Sequence, residues 1–75
     1  MSVIQPRLQY NYAKINLNTG LCAHCRTYSY EIPLADYILV PVHTNDYVGK
    51  YYNVSDQQWY LDASFSTIWA EAPQW

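Results

Sequence analysis

The chain has 75 residues and a formal net charge of −2, with only four Lys and Arg residues in total. This length allows one domain, and the scarcity of cations disfavours binding to duplex nucleic acid, which requires clustered positive charge to neutralise phosphates. Nine Tyr, three Trp and one Phe are too many aromatic side chains for the core of so small a domain. Several are therefore expected on the surface, where Tyr and Trp favour protein binding.

No segment approaches the roughly 20 apolar residues of a membrane-spanning helix. The N-terminal sequence lacks the basic start and apolar centre of a signal peptide. We therefore expect a soluble protein that is made in a cytosol and does not contact a membrane. The two Cys residues do not suggest a secreted disulfide scaffold.

Alternating residues from Leu8 to Tyr30 predict a first β-hairpin. Its turn, Leu17-Asn18-Thr19-Gly20, fits a type I turn followed by Gly in the left-handed conformation. With Leu17 opposite Leu21, one face is apolar and is predicted to point into the core: Ala13, Ile15, Leu17, Leu21, Ala23 and Cys25. The opposite face is predicted to point outward: Tyr10, Tyr12, Lys14, Cys22, His24, Arg26, Tyr28 and Tyr30. This register places Lys14 opposite His24 and Arg26 opposite Tyr12.

The middle of the chain predicts one more strand and a loop. Pro33 ends the first unit because it restricts the preceding residue to extended geometry. The apolar run from Tyr37 to Val42 indicates a strand covered on both faces, with Pro41 marking an edge or a bulge. A polar loop is expected over residues 43–49.

The last third predicts a second hairpin, with strands over 50–53 and 58–61 around the loop 54–57. Asp62 is expected to begin a short helical turn that runs to Thr67. Trp59 and Trp69 are expected to form an aromatic pair that closes the core.

Together these elements predict a mostly-β protein, a small antiparallel meander of about five strands built from two hairpins. The domain is expected to cover residues 1–69, with a C-terminal tail over 70–75. A meander leaves open strand edges, and a domain of this size is marginally stable alone. Self-association or docking to a protein partner is therefore expected.

Cys22-Ala23-His24-Cys25 is the motif that suggests metal or redox chemistry. A zinc site needs about four ligands, whereas this motif supplies one Cys-x-x-Cys and the only distant His is His43. Strand alternation would also place the two Cys side chains on opposite faces. One buried cysteine and one incidental exposed cysteine, both without chemistry, are favoured, with zinc (shared between subunits) or redox chemistry as alternatives. No metal and no cofactor are expected.

The predicted binding surface is the outward face of the first hairpin: Tyr10, Tyr12, Lys14, His24, Arg26, Tyr28 and Tyr30. Tyr rings stack on ligands, and Arg and Lys pair with negative charge. A protein partner is favoured, with a small anionic or sugar ligand and a solvated face without a role as alternatives. No nucleophile elbow, Gly-rich phosphate loop or carboxylate pair is evident, so no enzymatic activity is predicted.

Three short stretches carry a resemblance to a known group: Gly49-Lys50-Tyr51-Tyr52-Asn53, Trp59-Tyr60-Leu61-Asp62, and Phe65 with Trp69. They resemble a pattern in small bacteriophage proteins and tail-fibre ends, whose opening hairpin is similar to residues 15–20. The resemblance covers about two-thirds of the chain. It implies a non-enzymatic accessory module, made in the host cytoplasm and associated with the tail or virion. The alternative is a phage-encoded inhibitor of host defence that caps a protein or sequesters a nucleotide signal.

Overall fold

Residues 9–75 are described by a computed structural model. The strands are β1 (Tyr10–Ile15), β2 (Cys22–Tyr28), β3 (Tyr37–Val40), β4 (Tyr51–Asn53) and β5 (Gln58–Tyr60), and all of their pairings are antiparallel. They form a three-stranded sheet in the order β2-β1-β3 and a two-stranded sheet, β4-β5. The predicted mostly-β class, with five strands and two hairpins, is confirmed.

The first hairpin has the predicted left-handed glycine, but its turn closes one residue earlier than predicted. Asn16, and not Leu17, lies opposite Leu21, and the N–H of Asn16 donates to the carbonyl oxygen of Leu21 at 2.9 Å. Gly20 has a φ of +82°, the left-handed conformation that glycine adopts without strain. Its N–H donates to the carbonyl oxygen of Asn16 at 2.6 Å. A Cβ atom at position 20 would lie 2.6 Å from the carbonyl oxygen of Tyr52, so the close approach of these two backbones also requires glycine. The predicted pairing of Lys14 with His24 is confirmed.

A β-bulge at the end of β1 changes the faces of the hairpin. Ile15 pairs with Cys22 instead of Ala23, because the register shifts by one residue after Lys14. Cys22 is therefore only 1% exposed and Ala23 is exposed, the reverse of the prediction. Two leucines near the turn that were predicted to face the core, Leu17 and Leu21, are exposed as well.

The first three strands do not form a simple meander. β3 pairs with β1, and the backbone N–H of Ile15 extends this ladder by donating to the carbonyl oxygen of Asp36 at 2.8 Å. β1 is consequently the central strand. The chain between β2 and β3 crosses to the other side of β1, and on the way Ile32 donates its N–H to the hydroxyl oxygen of Tyr12 at 3.1 Å.

The two sheets are joined by backbone hydrogen bonds between the start of β2 and the start of β4. Leu21 forms a bridge with Tyr51, and the N–H of Cys22 donates to the carbonyl oxygen of Lys50 at 2.9 Å. The order of hydrogen-bonded neighbours is therefore β3-β1-β2-β4-β5. This series ends at residues 67–69, where Ile68 forms a bridge with Tyr60.

The core has an aliphatic half and an aromatic half. The buried residues of the main cluster are Ala13, Ile15, Cys22, Cys25, Val40 and Tyr47. The ring centroid of Tyr47 lies 5.0 Å from Trp59 and 5.5 Å from Trp69, and the two Trp rings meet edge to face at 6.3 Å. The predicted Trp59–Trp69 pair is confirmed, and Tyr47 completes it.

The helical turn expected at Asp62–Thr67 is absent. This segment is an irregular turn around the Asp62 carboxylate, which accepts hydrogen bonds from the backbone N–H groups of Ser66 at 3.1 Å and Thr67 at 2.9 Å. A single 3₁₀ turn occurs instead at Asn45–Tyr47, in the predicted loop, and the Thr44 side chain caps it. No helix among the described residues is long and apolar enough to span a membrane.

The difference in exposure between Ile15 and Leu17 generates a prediction for a matched pair of substitutions. Ile15→Asp is expected to unfold the protein because it places a carboxylate at a position that is 1% exposed, a cost of several kcal/mol for a buried unpaired charge. Leu17→Asp is expected to change the free energy of unfolding by less than about 0.5 kcal/mol because this side chain is 55% exposed. Urea denaturation followed by circular dichroism measures both. Equal destabilisation by the two substitutions would contradict the exposed position of Leu17 at the turn.

Candidate functional site

The outer face of the three-stranded sheet brings the predicted binding residues together. Alternation along β1 and β2 places the side chains of Tyr10, Tyr12 and Lys14 beside those of Tyr28, Arg26 and His24, respectively. Tyr37, at the start of β3, pairs with Lys14 and joins the same face. We call this surface the tyrosine face, and it comprises Tyr10, Tyr12, Lys14, His24, Arg26, Tyr28, Tyr30 and Tyr37.

Five tyrosine rings form one continuous cluster on this face. The Tyr12 ring is central, with centroids 6.5 Å from Tyr10 and 6.1 Å from both Tyr28 and Tyr37. Tyr28 also contacts Tyr37 at 6.2 Å and Tyr30 at 5.8 Å. These spacings are those of favourable aromatic pairs, so each ring restricts the orientation of its neighbours.

The members of the cluster differ in accessibility. Tyr12 was predicted to face a partner, but it is only 6% exposed, because neighbouring rings cover it and its hydroxyl oxygen accepts the N–H of Ile32. Tyr30 is 60% exposed. Tyr12 therefore packs beneath the exposed rings and stabilises the face, while Tyr30 is available for contact at its edge.

The two cations of the tyrosine face are in different states. The Lys14 ammonium lies 3.1 Å from the Asp36 carboxylate, which raises the pKa of Lys14 through a hydrogen bond and charge attraction. Arg26 is exposed and forms no ion pair with any residue between 9 and 75. The positive charge that remains for a partner is thus that of Arg26.

His24 adds little charge to the face. Burial, and then the positive charges of Arg26 and Lys14, lower the pKa of His24 from its ordinary value. Since the ordinary pKa is near 6.5, the imidazole is neutral at pH 7. Its Nδ1 atom is buried and has no hydrogen-bond partner among the described residues.

The two cysteines lie in the core and not at the surface. The bulge turns Cys22 inward beside Cys25, so the expectation that they occupy opposite faces is wrong. Burial raises the pKa of the Cys22 thiol to about 11, and burial also raises the pKa of Cys25. Both thiols donate weakly to backbone carbonyl oxygens, of His24 and Val42 respectively. Within residues 9–75, no three His, Cys, Asp or Glu side chains are grouped as metal ligands.

Sequence inspection missed Tyr37 and Asp36, which belong to this site. Tyr37 is the first residue of β3 and Asp36 directly precedes it, and the sequence pattern predicts this strand only as an apolar run covered on both faces. Their place beside Lys14 follows from the pairing of β3 with β1, a contact between segments more than 20 residues apart. Local patterns carry no signal for such a pairing.

Comparison with known proteins identifies no relative. No protein-family model matches the chain, and neither the curated proteins nor the solved structures contain a match.

The buried thiols generate a prediction about reactivity. In the folded protein at pH 8, Cys22 is expected to react with iodoacetamide about a hundredfold more slowly than in guanidinium chloride, because the thiolate is the nucleophile and its pKa is raised to about 11. Raising the pH should speed the reaction. Mass spectrometry after timed quenching measures it, and rapid modification of Cys22 in the folded state would contradict its placement in the core.

Proposed function

We propose that this chain is a non-enzymatic interaction protein that binds another protein through the tyrosine face. The observation that carries the proposal is the cluster of five Tyr rings on a single side of a sheet, beside the exposed Arg26, which has no ion pair among residues 9–75. Tyr and Arg are enriched among the residues that contribute most to protein binding. A ring cluster that is already ordered also loses less conformational entropy when a partner binds.

The chemical state of the reactive side chains supports binding over catalysis. Lys14 is paired with Asp36, and His24 is neutral with a partly buried ring. The two thiols are protonated and buried. None of these groups combines an activated state with open access, as a nucleophile or a general base requires.

The extent of the face favours a macromolecule over a small ligand. The rings of Tyr10, Tyr12, Tyr28 and Tyr30 follow one another at centroid spacings of 5.8–6.5 Å and connect the two strands of the hairpin. Arg26 adds a donor that suits a carboxylate or a cluster of carbonyl oxygens on the partner. A second copy of the chain and a different protein are both consistent with this chemistry.

A double substitution tests the tyrosine face. Arg26→Ala with Tyr30→Ala removes the exposed cation and an exposed ring, and leaves Tyr12 in place. The immobilised wild-type protein is expected to capture a partner that the double variant loses, with a decrease in affinity of at least tenfold when that partner is purified and titrated. The matched control is Leu17→Ser with Val54→Ser, which alters two exposed apolar residues outside the face.

Retention of every partner by the double variant, at unchanged affinity, would refute the proposed role of the face. Urea denaturation of both variants confirms that they remain folded. Sedimentation equilibrium of the wild type, the double variant and the control shows whether a second copy is among the partners.

The resemblance to small bacteriophage proteins supports a place for this module in or near the phage tail. Purified virions of the phage that encodes it are then expected to contain the protein, as measured by quantitative mass spectrometry. Its absence from virions, together with its presence in the infected host cytoplasm, would instead favour the inhibitor of host defence.

A further inference from the structure

A groove of about 580 Å³ separates the two ends of the hydrogen-bonded series of strands. One wall is β3 with Pro41, and the other is formed by Trp59, Ile68, Trp69 and residues 72–75. Tyr47 and Tyr52 also line it. We call it the seam groove, because it lies where β3 and the 67–69 segment face each other without pairing.

β3 presents an unpaired backbone edge to this groove. Ile15 donates its N–H to Asp36, so strand alternation directs the backbone groups of Ile38 towards β1 and those of Tyr37 and Leu39 away from it. No strand among residues 9–75 pairs with that outer side. An unpaired edge of this kind is a template for another extended chain.

Leu39 sets the register of this edge. The outward N–H of Tyr37 already donates to the carbonyl oxygen of Leu34 at 3.1 Å, and Pro41 has no N–H. Leu39 therefore supplies the one outward N–H donor of β3 that is without an acceptor among the described residues, together with its own carbonyl oxygen. The two flanking restrictions allow one short strand to pair at Leu39 and stop the pairing from extending further.

The lining of the groove specifies the chemistry of its occupant. Among residues 9–75, no charged side chain lines it, and the polar side chains that do are the amides of Gln57, Gln58 and Gln74 together with tyrosine hydroxyls. Trp59 and Trp69 provide apolar ring surface. Because burial of an unpaired charge against such a surface is costly, the complementary occupant carries none in the bound segment.

We propose that the seam groove binds an extended, uncharged peptide segment by strand addition to β3. The main-chain groups of the peptide pair with Leu39, and alternate side chains point towards Trp59 and Trp69. The volume lies within the range of about 300–1,000 Å³ that is usual for ligand clefts. This surface is separate from the contact area that Arg26 and Tyr30 provide, so the inference goes beyond the proposed function.

Two synthetic peptides test strand addition on the wild-type protein. The probe is an acetylated, amidated heptapeptide of alternating Thr and Val, and its partner is the same peptide with an N-methyl group on every peptide nitrogen, so that neither edge can donate. The parent peptide is expected to shift the amide resonance of Leu39 and to slow its hydrogen exchange. The N-methylated peptide is expected to bind at least about tenfold more weakly, because it has lost the donors that pair with the strand edge.

A matched pair of substitutions at Leu39 provides the second test. Leu39→Pro removes the outward N–H and is expected to lower the affinity for the parent peptide at least tenfold. Leu39→Ala keeps the N–H, and its affinity for the parent peptide should stay within about threefold of the wild type. Arg26→Ala with Tyr30→Ala should leave peptide binding unchanged, which separates this proposal from the tyrosine face. If Leu39→Pro fails to fold, the comparison of the parent and N-methylated peptides on the wild-type protein still tests strand addition.

Three results would overturn the proposal. The first is no binding of the parent peptide at millimolar concentration. The second is equal binding of the N-methylated peptide, which would make the groove a pocket for small apolar ligands. The third is equally tight binding of a heptapeptide in which Glu replaces each Val.

Discussion

The offset of one residue between β1 and β2 determines how the rest of this protein assembles. Ile15 pairs with Cys22 and not with Ala23, and on its other edge this end of β2 bonds to the second hairpin: Cys22 donates its N–H to the carbonyl oxygen of Lys50, and Leu21 forms a bridge with Tyr51. The second hairpin is thereby fixed to the first through main-chain hydrogen bonds. The same offset turns the side chain of Cys22 into the core. There it belongs to the same cluster as Tyr47, the last residue of the 3₁₀ turn. These hydrogen bonds matter most for the second hairpin, because an isolated two-stranded hairpin is at best marginally stable.

A chain of this size normally buries only about 60% of the surface that it exposes when unfolded. Here both faces of the central strand are covered. Below β1 lies the mixed core around Tyr47, and above it Tyr12 is enclosed by other tyrosine rings and by the crossing segment that contains Ile32. The tyrosines of this face thus fall into two groups, one that stabilises the sheet and one that is available for contact. Their inner layer stabilises the sheet, and their outer layer, with Tyr30, remains accessible.

Local sequence patterns predicted the features that depend on residues close together in the chain. The left-handed Gly20, the pairing of Lys14 with His24 and the second hairpin follow from turn chemistry and alternation. The bulge was not predictable, because it has no glycine at its position and depends on the competing pairing with the β4 region. The position of β3 was missed for a similar reason. Its place beside β1 is decided by the crossover and by distant contacts, such as the ion pair between Lys14 and Asp36.

All three tryptophans of the chain, Trp59, Trp69 and Trp75, line the seam groove. Indole emission responds to the polarity of its surroundings and to nearby quenching groups. The tryptophan fluorescence of this protein, excited selectively over that of its tyrosines, is therefore a local signal from a single surface and not an average over the molecule. A change in its wavelength or intensity would report directly on solvent in the groove, without a label and without any alteration of the chain.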